Sequence, residues 1–201
     1  NNPVYQVDLG YIYKLQERER KSDRTLDKVI DGLPKSDAII QQTANAFMQR
    51  KMTGRAIETF SKGRKILKDP LAFSLSLATL YKSKNDHEKM LEEYILMLND
   101  NPGMQESIQN QLQDVVQDDE VYQMVKKRLI KEVQATNYDL AMVDLLSWLF
   151  IQKKDFKAAF RQQKALDKRF KDNARGLVRL ADVCISNKAY DVADDIYQYI
   201  I

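Results

Sequence analysis

The same side-chain types return along this sequence at a fixed interval of about 34 residues. Tyr13, Phe47 and Tyr81 stand at that interval, each three residues after a small residue, Gly10, Ala44 and Ala78. Ala56 pairs in the same way with Met90, and Phe60 with Tyr94. In the last third, Val143 and Leu177, Leu146 and Leu180, Ser147 and Ala181, Phe150 and Cys184, Phe156 and Tyr190, and Ala159 and Ala193 keep the interval again. A period of this length places a chain among the stacked repeat folds. Inside a unit the apolar residues recur at three and four, as in Ile40, Thr43, Ala44, Phe47, so the units are helical. Each unit reads as a hairpin of two helices. The small residue lets the helices approach, and the aromatic one turn later fills the space beside the contact. With 6 Gly and 4 Pro in 201 residues, material for tight β-turns is scarce, which argues against an all-β fold.

Six hairpins follow, over residues 1–34, 35–69, 70–102, 103–137, 138–172 and 173–201, in one helical-repeat domain. Asp69-Pro70 and Asn101-Pro102 end helices, because the residue before Pro avoids the α region. Lys84-Asn85-Asp86 and Lys153-Lys154-Asp155 read as the turns inside hairpins. The first unit is expected to carry about three extra residues around Arg18 to Arg24. The fourth keeps helical spacing (Ile108, Leu112, Val115) but has no small residue in the close-approach slot. It is expected to pack differently and to bend or interrupt the array. Asn1-Asn2-Pro3 looks like the close of a preceding unit, and Tyr197 to Ile201 stop inside a second helix. Solenoids need polar capping units, so the chain reads as a fragment that continues in both directions.

The motifs resemble the tetratricopeptide repeat (TPR) family. Leu9-Gly10-x-x-Tyr13, Leu77-Ala78-x-x-Tyr81 with Met90-x-x-x-Tyr94 and Pro102, and Leu180-Ala181-x-x-Cys184 with Ala193-x-x-x-Tyr197 carry the likeness. The fifth unit has Gln163 where the family places an aromatic. The resemblance implies an all-α, right-handed superhelical solenoid of about six hairpins with an irregular fourth. The chain is also similar to long exported bacterial TPR proteins through Leu146-Ser147-Trp148-Leu149-Phe150, which points toward a periplasmic or envelope location. Composition itself leaves the compartment open.

Charge and reactive residues narrow the role. The net charge is +3, spread as +5, −4 and +2 over residues 1–70, 71–137 and 138–201, which is no polybasic footprint. One Cys and one His allow neither an intrachain disulfide nor a His/Cys metal cluster. His87 and Cys184 fall in slots that other units fill with packing side chains. Asp118-Asp119-Glu120 reads as a helix cap, and Asp194-Asp195 point apart on one helix. No phosphate loop, dinucleotide fingerprint, zinc-protease motif or C-x-x-C spacing occurs. The reading is therefore no enzyme, with no catalytic residue, metal or cofactor. No apolar run is long enough to span a membrane, and residues 1–20 lack a signal-peptide core.

A binding surface remains. The family's geometry implies a concave groove lined by first helices, and it places Asn45, Gln49, Thr79, Lys82, Trp148, Gln152, Arg175 and Arg179 toward that groove. Asn45 could bond a peptide backbone, and Arg175 with Arg179 could fork onto a carboxylate, although solvation or local pairing with Asp182 or Asp172 is the commoner fate of such a pair. Trp148 stands in a stretch apolar all round, which favours burial against the fourth hairpin over a ligand anchor. Gln41, Leu75 and Thr79 do not match the chaperone carboxylate clamp, so that specificity is not carried over. The leading expectation is a non-enzymatic scaffold or adaptor that binds a protein or peptide within a larger assembly. Two alternatives stand beside it: an architectural spacer between flanking domains, and an RNA-binding module using Lys62, Arg64, Lys65 and Lys68. The sequence leaves the partner and the oligomeric state open.

Overall fold

A computed structural model of the chain describes residues 2–137, 139–170 and 174–201. Over these residues the chain is all helix, with no strand. The helices are α1 (Pro3–Leu15), α2 (Glu19–Asp31), α3 (Asp37–Gln49), α4 (Thr53–Leu67), α5 (Ser74–Ser83), α6 (His87–Asp100), α7 (Gln105–Gln113), α8 (Asp119–Ala135), α9 (Leu140–Gln152), α10 (Phe156–Phe170), α11 (Ala174–Ser186) and α12 (Tyr190–Ile200). The expected unit boundaries at Tyr138, Asp172 and Asn173 lie outside the described residues. Two compact units divide the chain, Asn1–Leu96 and Met97–Ile201, with the division inside α6.

In the first unit α1 packs along α2 and α3 along α4. The small-residue slot works as its chemistry demands: a Cβ on Gly10 would run into the Leu26 side chain of α2, which would have to shift to make room. Ala44 and Ala78 occupy the same slot and are fully buried. Leu26, Phe60 and Tyr94 form the matching slot of the second helices, also fully or almost fully buried. Pro3 and Asp37 begin α1 and α3 exactly one period apart, as Glu19 and Thr53 begin α2 and α4, so the expected extra residues around Arg18 to Arg24 are not there. Ser22 takes the place that Ala56 fills in the next unit, and its hydroxyl donates to the Gly10 carbonyl at 2.8 Å. The charge run had concealed this register, because Arg18 to Arg24 is simply the start of α2 and the residue leading into it.

The backbone repeats as faithfully as the side chains. Glu17, Lys51, Asn85, Lys154 and Lys188 all take the left-handed conformation, with φ between 57° and 61°. Glu17, Lys51 and Asn85 follow one another at the period, and so do Lys154 and Lys188. In each case the next residue's N–H donates to the carbonyl of the aromatic slot or its substitute: Arg18 to Tyr13, Met52 to Phe47, Asp86 to Tyr81, Asp155 to Phe150, and Ala189 to Cys184. This is the six-to-one bond of a Schellman cap, which satisfies a carbonyl at the end of the first helix. Only Asn85 is a residue that tolerates the conformation well. Lys51→Gly is therefore expected to raise stability by about 1 kcal/mol by removing the Cβ strain. A urea midpoint lower than wild type would contradict this account of the turn.

In the second unit α9 packs along α10 and α11 along α12, while the fourth hairpin departs from the pattern. Leu112 stands one period after Ala78, and this large, fully buried side chain occupies the slot where a small residue is needed. α7 is nine residues long and gives way to a 3-10 turn at Val115–Gln117. α8 then leans on α9. Asp118 caps α8 as expected, its Oδ1 accepting from the N–H groups of Glu120 and Val121 at 2.9 and 3.0 Å.

Candidate functional site

The site grows out of one exception to the repeat. α9 reads LAMVDLLSWLFIQ, and Asp144 is its one charged residue. Asp139 starts this helix by accepting from the Ala141 and Met142 N–H groups. Asp144, Trp148 and Gln152 follow at intervals of four and share a helix face, each half-buried. Sixteen residues after Ser147 comes Gln163 of α10, in the slot that Leu26, Phe60 and Tyr94 fill in the first unit. It is 4% exposed. Its Nε2 donates to Asp144 Oδ1 at 2.8 Å and to Ser147 Oγ at 3.1 Å. A buried amide thus replaces an aromatic ring and ties the lone charge of the first helix to the second helix.

Above this network lies a cleft of about 450 Å³. Three first helices in succession line it: α7 through Gln105 and Gln109, α9 through Asp144, Trp148 and Ile151, and α11 through Arg179, Leu180 and Val183. Gln163 reaches it from α10. Burial pushes the Asp144 carboxyl above the usual carboxylate range. The Gln163 hydrogen bond and the charge of Arg179 pull it partly back, and Asp139 adds to the upward push. A raised folded-state value means the native state holds its proton to higher pH than the unfolded chain. Stability is then lost as pH climbs from the unfolded value through the folded one. Asp144→Asn should consequently gain on wild type as pH rises from acid toward neutral. Urea melts across that range measure it, and a difference that stays constant with pH would refute the assignment.

The residues expected to line a groove divide between the units. Trp148 and Arg179 meet at the cleft. Gln152 lies on the same face of α9 and Arg175 one turn before Arg179, and neither lines the cleft. In the first unit Asn45 is half-buried with its Oδ1 accepting from Gln41 at 3.0 Å, and Gln49 is exposed. Thr79 is exposed and its hydroxyl donates to the Leu75 carbonyl; Lys82 is half-buried. The sequence reading missed Asp144 as a site residue and treated Gln163 as a mere irregularity. The available signal was the coincidence of the two: a lone charge in an apolar helix, and a polar residue in the opposing aromatic slot.

Other charged and reactive groups are engaged elsewhere. A cavity of about 640 Å³ in the first unit is lined by Lys14, Glu19, Asp23, Lys51 and Arg55, among others. Arg55 there pairs with Asp27, Glu58 and Asp23 at 2.6, 3.1 and 3.2 Å. Of the basic residues that suggested RNA, Lys62 pairs with Asp31 at 2.5 Å and Arg64 with Glu93 at 2.7 Å. Burial, with a smaller push from Asp191, raises the Cys184 thiol to about 11, so it stays protonated and unreactive near neutrality. Among the described residues no group of His, Cys, Asp and Glu is arranged to hold a metal ion, and no helix is long and apolar enough to cross a membrane.

The fold is a TPR-like helical repeat, as its periodic register of helices, caps and small residues requires. No protein-family model and no curated protein matches the chain. Among solved structures it is similar to a tetratricopeptide repeat protein from Parabacteroides merdae, with 12% identity and a TM-score of 0.41, covering 99% of this chain and 78% of that one. It is also similar to PilF of Pseudomonas aeruginosa, with 14% identity and a TM-score of 0.39 over 97% of this chain and 88% of that one. The TPR domain of P58(IPK) aligns at 16% identity and a TM-score of 0.35, covering 97% of this chain and 59% of that one.

Proposed function

We propose that this chain is a non-enzymatic scaffold that binds a protein or peptide partner, and that the α7/α9/α11 cleft is where it does so. One observation carries the reading. Three consecutive first helices converge on a cleft that joins an aromatic wall, Trp148, to polar groups, Asp144, Gln105, Gln109 and Arg179. An apolar wall with a few placed polar groups suits an extended segment of polypeptide, whose side chains want apolar contact and whose backbone wants hydrogen bonds. The protonated thiol of Cys184 and the pairing of Lys62 and Arg64 weigh against a cysteine nucleophile and a phosphate-binding face, respectively. Catalysis and RNA binding are accordingly the weaker readings.

The test is differential capture from fractions of the source cells. The wild-type chain is compared with Trp148→Ala and with a double variant, Arg175→Glu and Arg179→Glu. A set of proteins held by wild type, lost by Trp148→Ala and held to a changed extent by the double variant is the expected result. The same set held by all three would place binding elsewhere. No set at all would favour the spacer reading.

A further inference from the structure

The identity of the ligand group follows from Asp144, on the reading just given that the α7/α9/α11 cleft is the protein-binding site. The carboxylate sits half-buried in an otherwise uncharged helix, between buried Val143 and Leu145 in sequence. Its one hydrogen bond among the described residues comes from a neutral donor, Gln163, and reaches only Oδ1. A carboxylate can accept about four hydrogen bonds. Gln163 is itself buried and divides its Nε2 between Asp144 and Ser147, so it fixes the carboxylate without neutralising it. Arg179 lies across the cleft on α11 and attracts Asp144 through space, but no lysine or arginine pairs directly with it among the described residues. A desolvated charge of this kind calls for a cation.

We propose that the cleft takes the basic side chain, arginine or lysine, of a partner's peptide segment, with the Asp144 carboxylate receiving the cationic head. The apolar stem of such a side chain suits the wall made by Trp148 and Ile151, since long basic side chains lay their methylenes on apolar surface. A cation held near an indole face gains further attraction from the ring. The Gln109 amide on α7 lies beside it and offers its oxygen to a peptide N–H, while the Gln105 amide is turned onto the Ala141 carbonyl and the Leu145 N–H of α9. Arg179 competes with the incoming cation for Asp144, so its charge sets how tightly the cleft binds. This reverses the expectation from sequence, in which Arg179 met a carboxylate on the partner.

A random dodecapeptide library displayed on phage, panned against the folded chain, tests the proposal. Trp148 is the one tryptophan, so its emission reports binding of each selected peptide directly. Helix content by circular dichroism establishes that Asp144→Asn, Arg179→Gln and Trp148→Ala are folded. The expected peptides share an arginine or lysine, and replacing an arginine by citrulline, or acetylating a lysine, weakens binding about tenfold or more. Asp144→Asn should erase that difference, and Arg179→Gln should tighten binding. Peptides that need Trp148 but carry no basic residue, or bind equally well after neutralisation, would overturn this inference and leave the protein-binding reading standing. Selection of no peptide whose binding depends on Trp148 would overturn both.

Discussion

Phe60→Ala is expected to lower stability by about 3–5 kcal/mol, a large fraction of what a single domain possesses. Phe60 is fully buried and its ring lies 4.8 Å from that of Phe73, tilted by 35°. It belongs to the core that also holds Ile40, Phe47 and Leu77, and it fills the slot facing Ala44 that Leu26 fills against Gly10. Truncation removes a ring and leaves a cavity that helices held by their own hydrogen bonds cannot fully collapse into. Urea denaturation followed by helix content measures the loss. A cost below about 1 kcal/mol, typical of surface positions, would show that the repeat register does not define this core.

The second large effect comes from charge. Arg64 on α4 forks onto Glu93 of α6, with Nη1 to Oε1 at 2.9 Å and Nη2 to Oε2 at 2.7 Å. Its Nη2 also donates to Ser74 Oγ and its Nε to the Ala72 carbonyl, which secures the turn before α5. Glu93 is 7% exposed, so removing its partner strands a buried carboxylate. Arg64→Met should cost about 3–5 kcal/mol, because desolvation is retained while the compensating pair is lost. Removing both charges, as Arg64→Met with Glu93→Leu, should restore stability to within about 1 kcal/mol of wild type or exceed it. A single variant that loses less than about 1 kcal/mol would mark the pair as an ordinary surface contact.

Much of the fold was legible because the repeat constrains packing at fixed offsets. Gly10, Ala44 and Ala78 could be assigned to helix crossings from spacing alone, since a close approach tolerates only small side chains. The irregular fourth hairpin was legible for the same reason, through the absence of such a residue at Leu112. The first hairpin was misjudged because Ser22 is polar: its burial depends on a hydrogen bond to Gly10, a partner twelve residues away that periodicity does not reveal. The cleft lay beyond the sequence for a related reason. Trp148 and Arg179 could be placed on first helices, but the network that fixes Asp144 requires a second helix to return at the right height. Helical periodicity says which face a residue takes. It does not say which polar groups will satisfy each other across a hairpin.

The central claim is that a peptide is read by first helices around Asp144 and Trp148. Backbone amide chemical-shift mapping with a selected peptide tests it most directly. The account predicts shifts concentrated on α7, α9 and α11, around residues 105–109, 144–151 and 176–183, with loss of the shifts in Trp148→Ala. Shifts confined to residues 2–96, or to the outer faces of α10 and α12, would contradict it.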